Sequence, residues 1–183
     1  RIVAEKLGKR ECIAICSFGE GTFNKIYLLT MEDGFQCIAR LALPAFRRYK
    51  TESEVATMQY VAENTSIRVP KVYAWDSDPD NAIGAEYILM EKMNGVPLSE
   101  KWDHLAFEEK KHIINQVIDI MLQLLDTSFD RIGSLYMDEN DSTYRIGPII
   151  SDLFFDGKRG TMDLERGPWG STSEYLTAVI RAE

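Results

Sequence analysis

The chain opens with apolar stretches of strand length, separated by turn residues. Residues 12–17 and 23–30 flank a glycine-containing bend, and 35–41 follows the pair Asp33-Gly34. An Asp-Gly pair supplies the positive backbone φ angles of a tight hairpin, so the second and third strands are expected to be antiparallel neighbours. Residues 44–50 read as a basic, irregular connection. A helix of about fifteen residues then starts near Thr51, with Val55, Met58 and Ala62 on one stripe. Two more strands are expected over 71–76 and 86–92, separated by a loop over 77–84 that carries the turn cluster Asp78, Pro79, Asp80 and Asn81.

After Asn94-Gly95 the pattern changes. Over 105–125, Ile113, Val117, Met121 and Leu124 repeat at helical spacing. Ile114, Ile118, Leu122 and Leu125 widen that stripe, which predicts a helix buried on more than one side. Residues 127–170 read as irregular and rich in glycine and aspartate. A helix restarts over 171–181, with Ser171 as N-cap and Glu174 three residues on. The order fits neither a doubly wound sheet nor the even strand spacing of a sandwich.

Composition narrows the class. The 183 residues carry 21 Lys+Arg against 29 Asp+Glu, a net charge of −8, with 45% hydrophobic and 27% charged residues. That is ordinary globular composition, unlike a disordered tail or a collagenous polymer. The acidic balance argues against nucleic acid, whose binding depends on Lys and Arg neutralising phosphates. No apolar run approaches the roughly 20 residues of a membrane helix, so a soluble chain is expected. Cys12, Cys16 and Cys37 are too few, and odd in number, for a disulfide framework, which favours a reducing compartment. Cys12 and Cys16 with His104 and His112 could ligate a metal, but no second cysteine pair exists. Buried apolar thiols and no metal are the expectation. The sequence begins at Arg1 without a signal-like opening and stops inside a helical pattern, so a piece of a longer protein is expected.

Three stretches could carry chemistry. In Ser17-Phe18-Gly19-Glu20-Gly21-Thr22-Phe23-Asn24, the glycines leave backbone N–H groups unshielded, as in loops that fold over phosphate oxygens. Asn24 stands where a third glycine would, and asparagine tolerates left-handed backbone. No Gly-Lys-Ser/Thr follows, and a strand rather than a helix comes next, so this is neither a Walker loop nor a dinucleotide fingerprint. An ordinary hairpin bend fits equally well. Arg40 is a basic residue among apolar ones near the end of a strand, either pointing at solvent or held for a purpose. Glu54 lies on the next helix, where it could pair with Arg40. Thr51-x-x-Glu54 also forms a capping box, and taken alone the residues favour capping. Finally, residues 87–95 could lay apolar side chains against a purine ring, with backbone near Glu91 and Met93 reading its edge. As an isolated string they are a buried strand with a turn.

The order of these features resembles the amino-terminal lobe of the kinase-like fold. More specifically, the chain looks like the aminoglycoside phosphotransferase family, also called the phosphotransferase enzyme family. The likeness is greatest to its fungal branch, which includes the altered inheritance of mitochondria protein 9 group. It is carried by Gly-Glu-Gly-Thr-Phe-Asn-Lys at 19–25, by Ala39-Arg40, and by Thr51-Glu52-Ser53-Glu54-Val55-Ala56-Thr57-Met58. It continues through Val69-Pro70-Lys71-Val72-Tyr73-Ala74-Trp75, Gly84-Ala85-Glu86-Tyr87-Ile88-Leu89-Met90-Glu91 and Gly95-Val96-Pro97-Leu98. It ends with Ile132-Gly133-Ser134-Leu135-Tyr136 and Arg166-Gly167-Pro168-Trp169.

The resemblance implies an α+β, protein-kinase-like fold. An antiparallel five-stranded, nucleotide-binding N-lobe with one helix would occupy 1–93, and a hinge and the start of a mainly helical C-lobe 94–183. It implies ATP as the phosphate donor, Mg2+ held by ligands outside this chain, and a small-molecule hydroxyl as acceptor. Gly19, Glu20, Gly21, Thr22, Phe23 and Asn24 would cover the phosphates, and Arg40 with Glu54 would replace the lysine–glutamate pair of protein kinases. Met90, Glu91 and Met93 would line the adenine site.

The family's His-x-Asp-x-x-x-x-Asn loop has no counterpart. His104 is followed two places on by Ala106 and His112 by Ile114; Asp76 and Asn81 have the right separation, but Ala74 stands where the histidine belongs. Phe155-Asp156-Gly157 reads as a turn. No catalytic residue is therefore expected in this chain, and no activity from it alone. The alternative is a non-catalytic binding or regulatory module. Self-association through the helix at 105–125, an intracellular setting (cytoplasmic or mitochondrial), no nucleic-acid partner and no membrane span complete the expectations.

Overall fold

The computed structural model describes residues 1–43, 48–138 and 143–183. A short helix α1 (Ile2–Lys6) precedes three strands, β1 (Cys12–Glu20), β2 (Asn24–Met31) and β3 (Gln36–Ala42). Helix α2 (Tyr49–Asn64) and strands β4 (Val72–Asp76) and β5 (Tyr87–Glu91) follow. All five strands form one antiparallel sheet in the order β1-β2-β3-β5-β4. This is the expected lobe, with α1 as an addition. Part of the connection predicted over 44–50, namely 44–47, lies outside the described residues.

The Asp33-Gly34 turn forms as its chemistry requires. Gly34 takes φ 80°, and the Asp33 carboxylate accepts the Phe35 N–H at 3.0 Å. The sheet has two distinct faces. Leu29, Met31, Cys37, Ala39, Tyr87 and Leu89 form a buried cluster that Ala4 of α1 closes. Burial pushes the Cys37 thiol up to about 11, so it stays neutral, whereas Cys12 is half-buried and Cys16 exposed, against the expectation for all three. Ile38, Arg40, Ile88 and Met90 share the opposite face, where α2 lies.

The first helix boundary departs from expectation. α2 begins at Tyr49, with Arg48 at the N-cap in a positive-φ conformation (67°). Thr51 is buried inside the first turn, and its hydroxyl donates to Glu86 Oε2 at 2.8 Å. The Arg48 N–H donates to the other oxygen of the same carboxylate at 2.7 Å. Glu86, arriving from the segment before β5, therefore caps the helix, and a carboxylate there also meets the positive end of the helix dipole. The Thr51–Glu54 capping box does not form.

The second half of the chain holds α3 (Leu98–Lys101), a 3-10 turn (Trp102–His104) and the long helix α4 (Phe107–Leu125). The segment expected to be irregular contains a hairpin, β6 (Ser134–Met137) with β7 (Tyr144–Gly147), then α5 (Asp152–Phe155) and a 3-10 turn (Gly157–Thr161). Asp156 and Gly157 form the expected turn between the last two. Helix α6 (Thr172–Ala182) starts on Ser171, whose Oγ accepts the Glu174 N–H at 3.3 Å. Glu174 reaches back to the Gly170 N–H at 2.8 Å. Phe154, Trp169, Ala178 and Ala182 form the core of this part. The Arg166 guanidinium lies over the Phe155 ring at 4.7 Å and donates to the carbonyls of Arg159 (2.6 Å) and Met162 (3.1 Å).

The β6–β7 hairpin leans on α2. The Tyr144 ring meets Tyr60 edge-on at 5.0 Å, and its hydroxyl donates to Glu63 Oε2 at 2.7 Å. Tyr49, at the start of α2, meets Tyr136 at 6.5 Å and Phe155 at 6.4 Å. One helix thus connects the sheet to the second half of the chain.

α4 contradicts its predicted burial. Among the described residues none of its side chains is buried, and Phe107 and Leu125 are each about three-quarters exposed. Gln123 ties it to the end of α2 by accepting from the Ser66 N–H (2.9 Å) and hydroxyl (2.8 Å). Each Leu, Ile or Met left in water forfeits roughly 1.5–3 kcal/mol of burial. The 183-residue chain is therefore expected to bind a hydrophobic dye and to associate on size-exclusion chromatography. A monodisperse monomer that melts cooperatively and leaves the dye unbound would show that this face is covered.

Candidate functional site

Two antiparallel strands and the start of one helix bring the site together. β3 turns Arg40 to the face occupied by α2, between Ile26 of β2 and Ile88 of β5. One helical turn separates Lys50 from Glu54, which places both on the same side of α2. The Arg40 guanidinium bonds to Glu54 Oε2, and the Lys50 ammonium lies 2.9 Å from Glu54 Oε1. Lys50 also donates to the Asn24 side-chain carbonyl at 2.9 Å.

These groups wall a cleft of about 570 Å³. Phe23, at the turn of the first hairpin, forms one side; Arg40 and the α2 residues Lys50, Ser53, Glu54, Thr57 and Met58 form the inner wall. Ile150, Ser151 and Asp152 close it from the second half of the chain. Burial lowers the proton affinity of Arg40. Burial and the adjacent Arg40 charge push Lys50 down to about 8, while Glu86 opposes them.

The first hairpin differs from its sequence reading in one respect. β1 continues through Gly19 and Glu20, which pair with Ile26 and Lys25 after a register shift between Ser17 and Gly19. A bulge of this kind admits glycine into a strand. Only Gly21, Thr22 and Phe23 make the turn, closed by the Gly21 N–H on the Asn24 carbonyl at 2.9 Å. Asn24 is the first residue of β2, opposite Ala42, rather than a left-handed stand-in for glycine. Its side chain is used to hold Lys50. Gly19 and Gly21 need no positive φ, and a Cβ on either would meet nothing closer than 4.0 Å. The fold itself does not require these two glycines.

Of the residues singled out by sequence, Phe23, Asn24, Arg40 and Glu54 come together here. Gly19, Glu20, Gly21 and Thr22 lie on the adjoining hairpin, and Glu20 sits 4.0 Å from Lys25. Met90, Glu91 and Met93 lie outside the cleft wall. The Glu91 carboxylate accepts the Lys71 N–H at 3.2 Å and sits 3.7 Å from Arg68. Lys50 and Asp152 are the residues that sequence reasoning missed. Lys50 had a usable signal, since it precedes Glu54 by four on the same helix, but the predicted helix began one residue too late to include it.

Cys12 and Cys16 lie on β1, His104 in the 3-10 turn and His112 on exposed α4. Among the described residues, no three His, Cys, Asp or Glu side chains gather in a group that could hold a metal. Asn81 serves its own loop, accepting the Ile83 N–H and donating to the Ala85 carbonyl.

The profile of the phosphotransferase enzyme family matches residues 14–146, from within β1 into β7, and so takes in the hairpin, Arg40 and α2. The chain belongs to this family. Among curated proteins, it is 35% identical over 168 residues to a subtelomeric hrmA-associated cluster protein of Aspergillus fumigatus, covering 86% of this chain and 33% of that protein. It is 32% identical over 196 residues to the mitochondrial altered inheritance of mitochondria protein 9 of Yarrowia lipolytica, covering 90% and 34%. The protein of the same name from Clavispora lusitaniae is 29% identical over 202 residues, covering 93% and 33%. This member of the family thus spans about a third of the length of the curated relatives it matches. Among its described residues, no helix is long and apolar enough to cross a membrane.

Proposed function

We propose that this chain is the ATP-binding portion of a kinase-like phosphotransferase that moves the γ-phosphate of ATP to a small-molecule hydroxyl. The observation that carries this reading is the cleft in which Arg40 and Lys50 share Glu54 beside a glycine hairpin. Two cations on one wall suit a polyphosphate, and the open space beside Gly19 and Gly21 lets the hairpin backbone come close to it. In this reading Arg40 and Lys50 hold the phosphates, the hairpin from Gly19 to Asn24 covers them, and Met90, Glu91 and Met93 border the purine.

The carboxylates on the cleft wall do not suit Mg2+. Glu54 is already engaged by two cations, and Asp152 faces it alone from the far side. Magnesium ligands are assigned to protein outside these residues, as is the His-x-Asp-x-x-x-x-Asn loop. The chain alone is accordingly expected to bind ATP weakly, with little dependence on magnesium, and not to turn it over. The relatives named mitochondrial support an intracellular setting, cytoplasmic or mitochondrial.

The glycines provide the test. With open space around them, Gly19→Ala and Gly21→Ala should leave melting unchanged or raise stability by roughly 0.4–1 kcal/mol. Both should weaken ATP binding measured by calorimetry, because a methyl group would stand between backbone and phosphate. No ATP binding by the wild-type chain, or equal binding by both variants, would remove the nucleotide role of this hairpin.

A further inference from the structure

We propose that Lys50 is a second phosphate-binding cation of the cleft, and that it couples the glycine hairpin to helix α2. This rests on the nucleotide-binding reading above and adds to it a residue that the Arg40–Glu54 pair alone does not call for.

A lysine is seldom buried without a purpose, and the Lys50 side chain is only 9% exposed. It stands on the cleft wall rather than in a closed core. An ammonium has three N–H donors. Asn24 Oδ1 takes one at 2.9 Å, and Glu54 Oε1 lies at 2.9 Å as counter-ion. Among the described residues no third partner is present, so a donor remains for a group in the cleft. Asn24 also closes the hairpin, since its carbonyl accepts the Gly21 N–H at 2.9 Å. A ligand pulling on Lys50 therefore pulls on the hairpin end and on the first turn of α2 together.

The charges around Lys50 make the same point. Arg40 of β3 repels it, while Glu54 of its own helix and Glu86 from the segment before β5 attract it. Asp152 faces the cleft from α5. Two cations compete for Glu54, and a polyanion between them would relieve that competition. Lys50 titrates at about 8 in the free protein, so near that pH it is only partly charged. A bound phosphate would favour its charged form, and binding would then take up a proton. The terminal phosphate of ATP loses its last proton at about pH 6–7, so above about pH 7.5 it is largely ionised and ATP itself contributes little to proton uptake in this range.

The test is calorimetric titration of the 183-residue chain with ATP, without metal, from pH 7.5 to 9.5. Wild type should lose affinity roughly tenfold across that range. Lys50→Met should bind ATP about 10- to 100-fold more weakly at pH 7.5, the usual loss for a charge-assisted contact. Lys50→Arg, charged throughout, should retain most of the affinity and lose the pH dependence. A purely structural lysine would change the melting temperature and leave the pH profile of binding alone. Equal affinity in a folded Lys50→Met chain, or an unaltered pH slope in Lys50→Arg, overturns the assignment while leaving the nucleotide reading intact. Failure of the wild-type chain to bind ATP at all overturns both.

Discussion

Gly133→Ala is expected to cost more than about 4 kcal/mol, a loss reached only by a short list of mechanisms, here overpacking against backbone. The added Cβ would lie 2.2 Å from the Gly147 carbonyl oxygen and 2.8 Å from Ile146 Cγ2. Neither atom can simply step aside. Ser134 pairs with Gly147 and Leu135 with Ile146, so moving one strand breaks the hairpin. Gly147 is itself pinned, because a Cβ there would meet the Tyr136 ring at 2.7 Å. Ile132, on the other side of Gly133, exchanges backbone hydrogen bonds with Trp169, each at 2.9 Å. The hairpin also supports α2 through Tyr144, so its loss should loosen the helix that carries Lys50 and Glu54. At about 2–4 °C per kcal/mol for a chain of this size, the melting temperature should fall by roughly 10 °C or more. A variant melting within about 2 °C of wild type would mean that β6 and β7 can slide past each other.

Glu54→Ala is expected to have the next largest effect. It removes the shared counter-ion of two cations, which would then face each other across the cleft wall. Breaking one partner of a buried ion pair costs about 3–5 kcal/mol. Arg40 and Glu54 retain side-chain exposures of 20% and 30%, so solvent screening reduces that figure to about 1–3 kcal/mol. Adding Lys50→Met should recover part of the loss, because one repelling charge disappears. A double-mutant cycle on denaturant unfolding measures this, and a coupling below about 0.5 kcal/mol would refute a shared network. The pH dependence has a defined sign. Lys50 titrates at about 8 in the folded chain, below its ordinary 10.5, so between those values the unfolded chain binds more protons. Stability should therefore rise with pH across that window on account of Lys50, and Lys50→Met should abolish that contribution.

Much of this lobe can be read locally. The Asp33-Gly34 turn, the strands on either side of it, the loop around Asn81 and the Ser171 cap all depend on residues within about four positions of each other. The order of elements together with the quoted motifs is enough to place the chain in its family and to pair Arg40 with Glu54. What local pattern could not supply lies at longer range. Thr51 reads as an N-cap, yet Glu86, 35 positions away, takes its hydroxyl and caps the helix instead. That choice depends on where β5 enters the sheet, which no local propensity encodes. β6 and β7 are four residues each, too short for a periodicity to register, and they persist because Tyr136 and Tyr144 pack against α2. Asn24 follows the same logic: its place in a glycine-like pattern suggested backbone geometry, whereas the fold uses its side chain to hold Lys50. The apolar width of α4 records what that helix is built to touch, but only the tertiary structure decides what reaches it, and among the described residues that face is open. Sequence by itself determined the family, the five strands of the sheet and the identity of the charged groups; the tertiary structure decided which of those charges share a cleft, because neutralising a buried cation depends on distance in space rather than along the chain.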